Sequence, residues 1–184
     1  MGTTIKISDT INLIMITLND SDTLLKLMHT IYIPPYKHLW QDGGLWYVQN
    51  TFNSVVLKEE LSKKNAAYYF VEYQNKRIGI LRLIHNVPLK DFENKKVTKL
   101  HRIYLDPKIH GKGIGKLLMD WSSQEAIKNN SQLIWLEAMD TQEQALKFYK
   151  KLGYQIPGDF KLEFDLLYEH LRGLHRMYLP LFKN

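Results

Sequence analysis

The sequence has no cysteine and no long apolar segment. Without thiols, disulfide bridges, cysteine metal ligands and acyl transfer through a cysteine nucleophile are all excluded. The longest apolar stretch, from Ile11 to Leu18, is interrupted by Asn12 and Thr17, and it is far shorter than the roughly 20 residues that span a bilayer. The N-terminus also lacks the apolar core of a signal peptide. We therefore expect a cytoplasmic protein with no membrane partner and no metal site.

The chain also lacks any concentrated run of charge. Its 25 lysines and arginines exceed its 19 acidic residues, which gives a net charge of +6 and a pI near 9.3. The basic residues never form a block of five, since they adjoin only in pairs such as Lys63-Lys64 and Lys150-Lys151. Most of them are expected on a solvated surface. This scatter argues against a nucleic-acid partner, and the positive charge also suits a phosphorylated small molecule.

Length and composition are those of one soluble globular unit. The chain has 184 residues, of which 45% are hydrophobic and 24% are charged. That length supports one substantial core and is short for two. We therefore predict a single domain over residues 1–184.

Hydrophobic periodicity predicts an α/β chain of alternating strands and helices. The predicted strands are 11–17, 68–73, 77–84, 97–105, 133–138, 160–163 and 172–181. The predicted helices are about 24–31, 53–63, 114–130 and 141–152. The first helix is expected to end at Pro34-Pro35, before an aromatic loop over 36–47. The last is expected to start with a capping box from Thr141 to Gln144 and to end at Gly153.

A glycine-rich segment, His110-Gly-Lys-Gly-Ile-Gly115, lies between a predicted strand and a predicted helix. Glycines expose successive N–H groups, and a helix N-terminus adds partial positive charge, so the segment suits a phosphate group. A tight turn that needs glycine only for its geometry is the alternative. A P-loop would need Ser or Thr after a lysine that follows the last glycine, and here Gly115 is followed by Lys116-Leu117. A dinucleotide-binding fold would need its glycines early in a βαβ unit.

Two motifs resemble the GNAT superfamily of acyl-CoA N-acyltransferases. The segment from Tyr104 to Leu118 is similar to the family's acyl-CoA motif, in which Gln or Arg is usual where His110 stands. About 30 residues later, Gln142-x-x-Ala-x-x-Phe148-Tyr149, followed by Gly153-Tyr154, is similar to the second signature, where Asn is commoner than Gln142. The overall resemblance leans toward bacterial polyamine and small-amine N-acetyltransferases.

The resemblance implies a fold and a cofactor. The fold is a mixed α/β (α+β), mostly antiparallel sheet of six or seven strands flanked by about four helices, with two central parallel strands that splay. The cofactor is acetyl-CoA (coenzyme A), and its pantetheine arm pairs with the backbone of Ile103 and Leu105. The implied cofactor-binding residues are Ile103, Leu105, His110, Gly111, Lys112, Gly113, Ile114, Gly115, Lys116, Gln142, Phe148 and Tyr149. A homodimer is expected because dimers are common in the superfamily.

Two residues are candidates for catalysis. Tyr149 could stabilise or protonate the departing thiolate, although it also lies on an apolar helical stripe and could be a core residue. His101 is the leading candidate for the base that deprotonates the amine, because period-two geometry places it on the same strand face as Ile103 and Leu105. A buried structural histidine is the alternative. Glu137 is a weaker candidate for the base.

The aromatic loop contains the candidate residues for binding the acceptor. Tyr36, Trp40 and Asp42 of the aromatic loop are candidate substrate-binding residues, since rings and a carboxylate can surround an amine, although packing of the rings into the core is the alternative. We expect an N-acetyltransferase that acts on a primary amine of a small molecule, polyamine or peptide by direct transfer in a ternary complex. A non-catalytic acyl-CoA sensor is the second hypothesis, and a basic nucleic-acid module is the third.

Overall fold

A computed structural model describes residues 3–182, and they form one eight-stranded sheet. The strands follow the spatial order β1-β2-β3-β4-β5-β6-β8-β7. Within these residues the neighbouring strands are antiparallel except β5 and β6, which are parallel. The strands are β1 Thr4–Lys6, β2 Ile11–Met15, β3 Ala66–Tyr73, β4 Lys76–His85, β5 Val97–Leu105, β6 Leu133–Met139, β7 Gln155–Lys161 and β8 Gly173–Pro180.

Six helices cover the two faces of the sheet. They are α1 Ser21–Ile31, α2 Ile33–Tyr36, α3 Leu45–Thr51, α4 Ser54–Ser62, α5 Ile114–Lys128 and α6 Glu143–Lys151. On one face, Leu118 of α5 and Leu146 of α6 are buried in a core with Leu81 and Leu100. On the other face, α1, α3 and α4 bury Leu24, Met28, Val48 and Leu57 against Phe70 and Ile80. No helix among the described residues is both long and apolar enough to cross a membrane.

The predicted mixed, mostly antiparallel sheet is confirmed, with differences in detail. The strand β1 was not predicted, because three edge residues are too few to show alternation. The aromatic loop over 36–47 is wrong in part, since Leu45 to Tyr47 begin α3. Pro34 and Pro35 lie in the first turn of α2, where proline is tolerated. The capping box from Thr141 is wrong, because Gln142 is the N-cap residue and makes no side-chain cap hydrogen bond.

The parallel strands β5 and β6 separate after a short paired segment. Their register runs from Val97 opposite Leu133 to Lys99 opposite Trp135 and extends no further. Beyond that point β5 continues along β4, and β6 continues along β8. The gap that opens between the C-terminal halves of β5 and β6 confirms the expected splay.

A β-bulge in β5 changes the faces of its side chains. Arg82 of β4 pairs with Arg102 and the next residue, Leu83, pairs with Leu100, so His101 is the extra residue. Leu100 and Ile103 therefore lie on the same face, in the core under α5. The ring of His101 contacts Arg82 on the opposite face. The expectation that His101 shares a face with Ile103 and Leu105 is wrong, because the bulge breaks the period of two.

Candidate active site

A cavity of 660 Å³ opens between the end of β5, the glycine-rich loop and α6. Most of the residues expected to bind the cofactor line it: Ile103, Leu105, His110, Gly111, Gly113, Ile114, Gly115, Lys116, Gln142, Phe148 and Tyr149. Lys112 is not among its lining residues, and the ammonium of this residue lies 5.3 Å from the ring centroid of Tyr73. We call this cavity the donor cleft.

The glycine-rich loop presents unhindered backbone to the donor cleft. Gly111 and Gly113 have φ angles of 81° and 75°, in the left-handed region that favours glycine, and a Cβ atom on either would meet nothing within 4 Å. Gly113 is the N-cap of α5 and has no side-chain cap. The N–H groups of the first turn of α5 have no partner within the helix, and the helix dipole favours an anion there. The loop and helix together therefore have the backbone geometry and the partial charge to hold a phosphate or pyrophosphate group.

The edge of β5 faces the gap beside this loop. The Asp106 N–H donates to the Ile78 carbonyl of β4 over 2.7 Å. Because alternate residues of a strand direct their N–H and C=O groups to opposite sides, those of Ile103 and Leu105 point away from β4 and into the gap. An extended arm lying there can pair with both residues as an added strand would.

A second cavity, of 340 Å³, lies deeper along β5, and we call it the acceptor pocket. It shares six lining residues with the donor cleft: Tyr36, Ile103, Tyr104, Gln142, Ala145 and Tyr149. Tyr149 therefore borders both cavities. Burial raises the pKa of Tyr149, so its phenol stays protonated through the neutral range. A proton donor accordingly lies where the two cavities meet.

Aromatic side chains form the wall of the acceptor pocket opposite β5. Tyr36 and Trp40, both predicted to bind substrate, line it, and Trp40 donates from Nε1 to the Tyr32 hydroxyl over 3.1 Å. Asp42 does not line it. Its carboxylate instead accepts from the N–H groups of Gly44 and Trp46 at the start of α3, over 2.9 and 2.6 Å. The wall also contains three rings that were not predicted to bind substrate, Tyr32, Tyr47 and Phe164.

His101 lines the acceptor pocket, but its surroundings do not suit a base. Its Nδ1 atom lies 2.6 Å from Nη1 of Arg82. A guanidinium can only donate, so Nδ1 is the acceptor and the proton of the neutral ring is on Nε2. Burial, followed by the charges of Arg102 and Arg82, lowers the pKa of His101 to about 2. At neutral pH this ring therefore offers the pocket a hydrogen-bond donor rather than a proton acceptor.

A buried ion cluster behind His101 was not predicted. Glu60 of α4 accepts from Nη1 of Arg102 over 2.7 Å and lies 3.3 Å from Nη1 of Arg82. The side chains of Arg82, Glu60 and Arg102 are 1%, 9% and 9% exposed. We call these three residues the Arg-Glu-Arg cluster. The sequence indicates this cluster at one point, where Arg82 interrupts the apolar run 78–84 of a strand. A charged side chain that is buried with such a run needs a partner of opposite charge.

Glu137, the weaker candidate for the base, also lines the acceptor pocket. Its Oε2 atom accepts from the Lys99 ammonium over 2.8 Å, and its Oε1 atom lies 3.6 Å from Nε of Arg176. The carboxylate is therefore already occupied by two cations. Residues 3–182 contain no group of three histidine, aspartate or glutamate side chains placed to hold a metal ion.

Comparison with known proteins agrees with this geometry. Residues 25–154 match the model of the acetyltransferase (GNAT) family. An uncharacterised N-acetyltransferase of Methanocaldococcus jannaschii is 24% identical over 142 residues, which is 76% of this chain but only 58% of that relative.

Two solved structures show the same fold. The PaiA N-acetyltransferase of Thermoplasma acidophilum in complex with coenzyme A is 16% identical, with a TM-score of 0.70 over 93% of this chain and 99% of that one. The spermidine/spermine N-acetyltransferase SpeG of Vibrio cholerae is 18% identical, with a TM-score of 0.65 over 95% of each chain. Because the family model matches most of the sequence and the fold agrees, this chain belongs to the acetyltransferase (GNAT) family.

Proposed function

We propose that this chain is an N-acetyltransferase that moves an acetyl group from acetyl-CoA to a primary amine, with both substrates bound at once. The observation that carries the proposal is the meeting of the donor cleft and the acceptor pocket at Tyr149. Direct transfer is consistent with the absence of cysteine from the chain. Family membership and the coenzyme A bound in the PaiA structure support the choice of donor.

The residues of the donor cleft fit acetyl-CoA. The open backbone at Gly111 and Gly113 and the N-terminus of α5 would hold the pyrophosphate, and the free edge of β5 at Ile103 and Leu105 would hold the pantetheine arm. Acetyl-CoA supplies an acetyl thioester, whose carbon–sulfur bond breaks as the acceptor nitrogen bonds to the acetyl carbon. The splay of β5 from β6 leaves the room for this chain-like ligand.

Tyr149 is the residue that we assign to the departing sulfur. A thiolate leaves more readily when a proton donor or hydrogen-bond donor is within reach, and the Tyr149 phenol is protonated at neutral pH and can donate to the sulfur. After transfer, the phenol recovers its proton from solvent. Phe148 and Tyr154 lie 5.5 and 5.9 Å from the Tyr149 ring, centroid to centroid, and limit its movement.

The proton of the acceptor amine leaves by another route. His101 accepts from Arg82 and has a pKa of about 2, and Glu137 accepts from Lys99, so neither is a free base in this arrangement. We propose that the ammonium loses one proton to water before the neutral amine attacks, and that the nitrogen releases a second proton to water as the amide forms. The dependence of kcat/KM on pH should then follow the pKa of the acceptor, with no inflection between pH 6 and 7 from an enzyme histidine.

A screen of primary amines with acetyl-CoA and a thiol-release readout tests the proposal. Amine-dependent release by the wild-type protein, strongly reduced in Tyr149→Phe with coenzyme A binding retained, is the expected result. Binding of coenzyme A without release for any amine would instead favour the acyl-CoA sensor. The single domain over residues 1–184, the cytoplasmic location and the homodimer remain predictions.

A further inference from the structure

The β5 wall of the acceptor pocket carries uncompensated positive charge. Arg102 lines the pocket, and within its cluster two guanidiniums share the one carboxylate of Glu60. The cluster therefore keeps a net positive charge although all three side chains are nearly buried. Beside it, His101 adds the Nε2–H donor and no negative charge. A buried, unbalanced cation is costly unless an anion approaches it.

Hydrogen bonding within the cluster is also incomplete. The Nε and Nη2 atoms of Arg82 are buried and have no acceptor among the described residues, and the same holds for the Tyr68 hydroxyl. Arg82 is 1% exposed, so bulk water does not satisfy these donors. Such unsatisfied groups are rare in native structures. Neither Arg82 nor Tyr68 is among the residues that line the acceptor pocket, so an anion there would act through Arg102 and through the net charge of the cluster.

The described residues that line the pocket offer no unpaired carboxylate to the ammonium groups of a polyamine. Glu137 is the one carboxylate among the described residues that line it, and Lys99 and Arg176 already approach both of its oxygens. Asp42, which was expected to supply negative charge, is used at the start of α3. An acceptor with several ammonium groups would therefore face excess positive charge with no free counterion.

Building on the proposed function, we propose that the acceptor amine carries an anionic group, a carboxylate or a phosphate, that binds Arg102 and the Nε2–H of His101. Two oxygens of either a carboxylate or a phosphate can accept the two parallel N–H bonds of a guanidinium. The anion would neutralise the Arg-Glu-Arg cluster and fix the amine with respect to Tyr149. The opposite wall of Tyr36, Trp40 and Phe164 would hold an apolar or aromatic body of the same molecule.

Matched ligands test the anionic group without any variant. Indole-3-propionate and tryptamine share an indole ring and differ in the charge at the end of the chain. Indole-3-propionate should raise the melting temperature of the wild-type protein, and tryptamine at the same concentration should raise it less. In the transfer assay, tryptophan should exceed tryptamine, or phosphoethanolamine should exceed ethanolamine, by about tenfold or more in kcat/KM. The first pair tests a carboxylate and the second a phosphate.

Two variants locate the effect. Arg102→Gln removes the guanidinium that lines the pocket and leaves Glu60 paired with Arg82. It should reduce kcat/KM for the acceptor that carries the anion by about 10- to 100-fold, and it should reduce kcat/KM much less for the amine that lacks the anion. Arg77→Gln makes the same change at a surface arginine that pairs with Asp20. It should leave kcat/KM unchanged for the acceptor that carries the anion and for the amine that lacks it.

The outcomes separate this inference from the proposed function. If tryptamine or spermidine is acetylated better than every anionic acceptor, transfer is established but the anionic group is wrong. If Arg102→Gln weakens all acceptors equally, the guanidinium acts on the reaction and not on an acceptor anion, which also overturns the inference. If no amine is acetylated and indole-3-propionate still stabilises the wild-type protein but not Arg102→Gln, the anion site stands and the proposed transferase activity fails.

Discussion

Replacing Glu60 by Gln should destabilise the protein strongly, because Glu60 is the shared partner of two buried guanidiniums. Arg82 and Arg102 lie directly opposite each other on β4 and β5, and like charges at such positions repel. The Glu60 carboxylate reaches both, at 3.3 and 2.7 Å. Gln keeps the size of the side chain and removes its charge. The two arginines would then be buried with no counterion.

The magnitude follows from the burial of the cluster. Removing one member of a buried ion pair typically costs about 3 to 5 kcal/mol, and at about 2 to 4 °C per kcal/mol for a chain of this size the melting temperature should fall by roughly 6 to 20 °C. Urea denaturation followed by circular dichroism measures the change in the free energy of unfolding. The double variant Glu60→Gln/Arg102→Gln should recover part of the loss, because it removes one of the two repelling charges.

The loss of stability in Glu60→Gln tests whether the Arg-Glu-Arg cluster is shielded from water. A loss below about 1 kcal/mol would be the value of an exposed ion pair, and it would show that water reaches the guanidiniums. The exposed pair of Lys116 and Asp120 on α5 provides the comparison. Asp120→Asn should change the free energy of unfolding by less than about 1 kcal/mol.

Three further changes test the loop, the proton donor and the histidine. Gly113→Ala should weaken coenzyme A binding about 5- to 30-fold, because alanine at φ 75° costs about 1 to 2 kcal/mol and the free loop would avoid this cost by leaving the conformation that presents its N–H groups. Gly158→Ala, in open space on β7, should have no effect in the same titration. Tyr149→Phe should lower kcat for thiol release about 100-fold while the dissociation constant of coenzyme A changes less than about threefold; equal losses in both would contradict a role in proton donation. When the pH falls from 6.5 to 5, the free energy of unfolding should fall by about 2 kcal/mol more for the wild-type protein than for His101→Gln. The reason is that His101 gains a proton near pH 6.5 in the unfolded chain, whereas in the folded protein its pKa of about 2 keeps it neutral. If urea denaturation gave the same pH dependence of the free energy of unfolding for the wild-type protein and for His101→Gln, His101 would be solvated and this reasoning would be contradicted.

Local patterns predicted the glycine-rich loop of the donor cleft and the two elements beside it, and the resemblance to the GNAT motifs implied the remaining cofactor-binding residues. The glycines at 111 and 113 occupy left-handed conformations at the start of a helix, and positive φ is a property that glycine itself indicates in a sequence. The helix α5 and the strand β5 on either side follow from periodicity, which needs no knowledge of distant residues. Lys112 was predicted to bind the cofactor, but its side chain turns to Tyr73, and Ile31 and Pro35 line the cleft without having been predicted.

The acceptor pocket is formed by contacts between distant parts of the chain, which the pattern of neighbouring residues does not predict. A single extra residue in β5 moves His101 to the other face, and its one sign in the sequence is that two polar residues rather than one separate Leu100 from Ile103. Glu60 and Arg102 meet although they are 42 residues apart in the chain. In the sequence, Asp42 is equally compatible with a carboxylate in the pocket and with a residue that caps the start of a helix. In the structure it accepts from two N–H groups at the start of α3, so it has the second role.

Calorimetric titration of the folded wild-type protein with coenzyme A tests the central claim most directly, since that claim is that the N–H groups before and within the first turn of α5 bind a pyrophosphate. We expect saturable binding of one coenzyme A per chain, weakened in Gly113→Ala and unchanged in Gly158→Ala. No heat of binding with either coenzyme A or acetyl-CoA would contradict the assignment of the donor cleft and, with it, the proposed acetyl transfer.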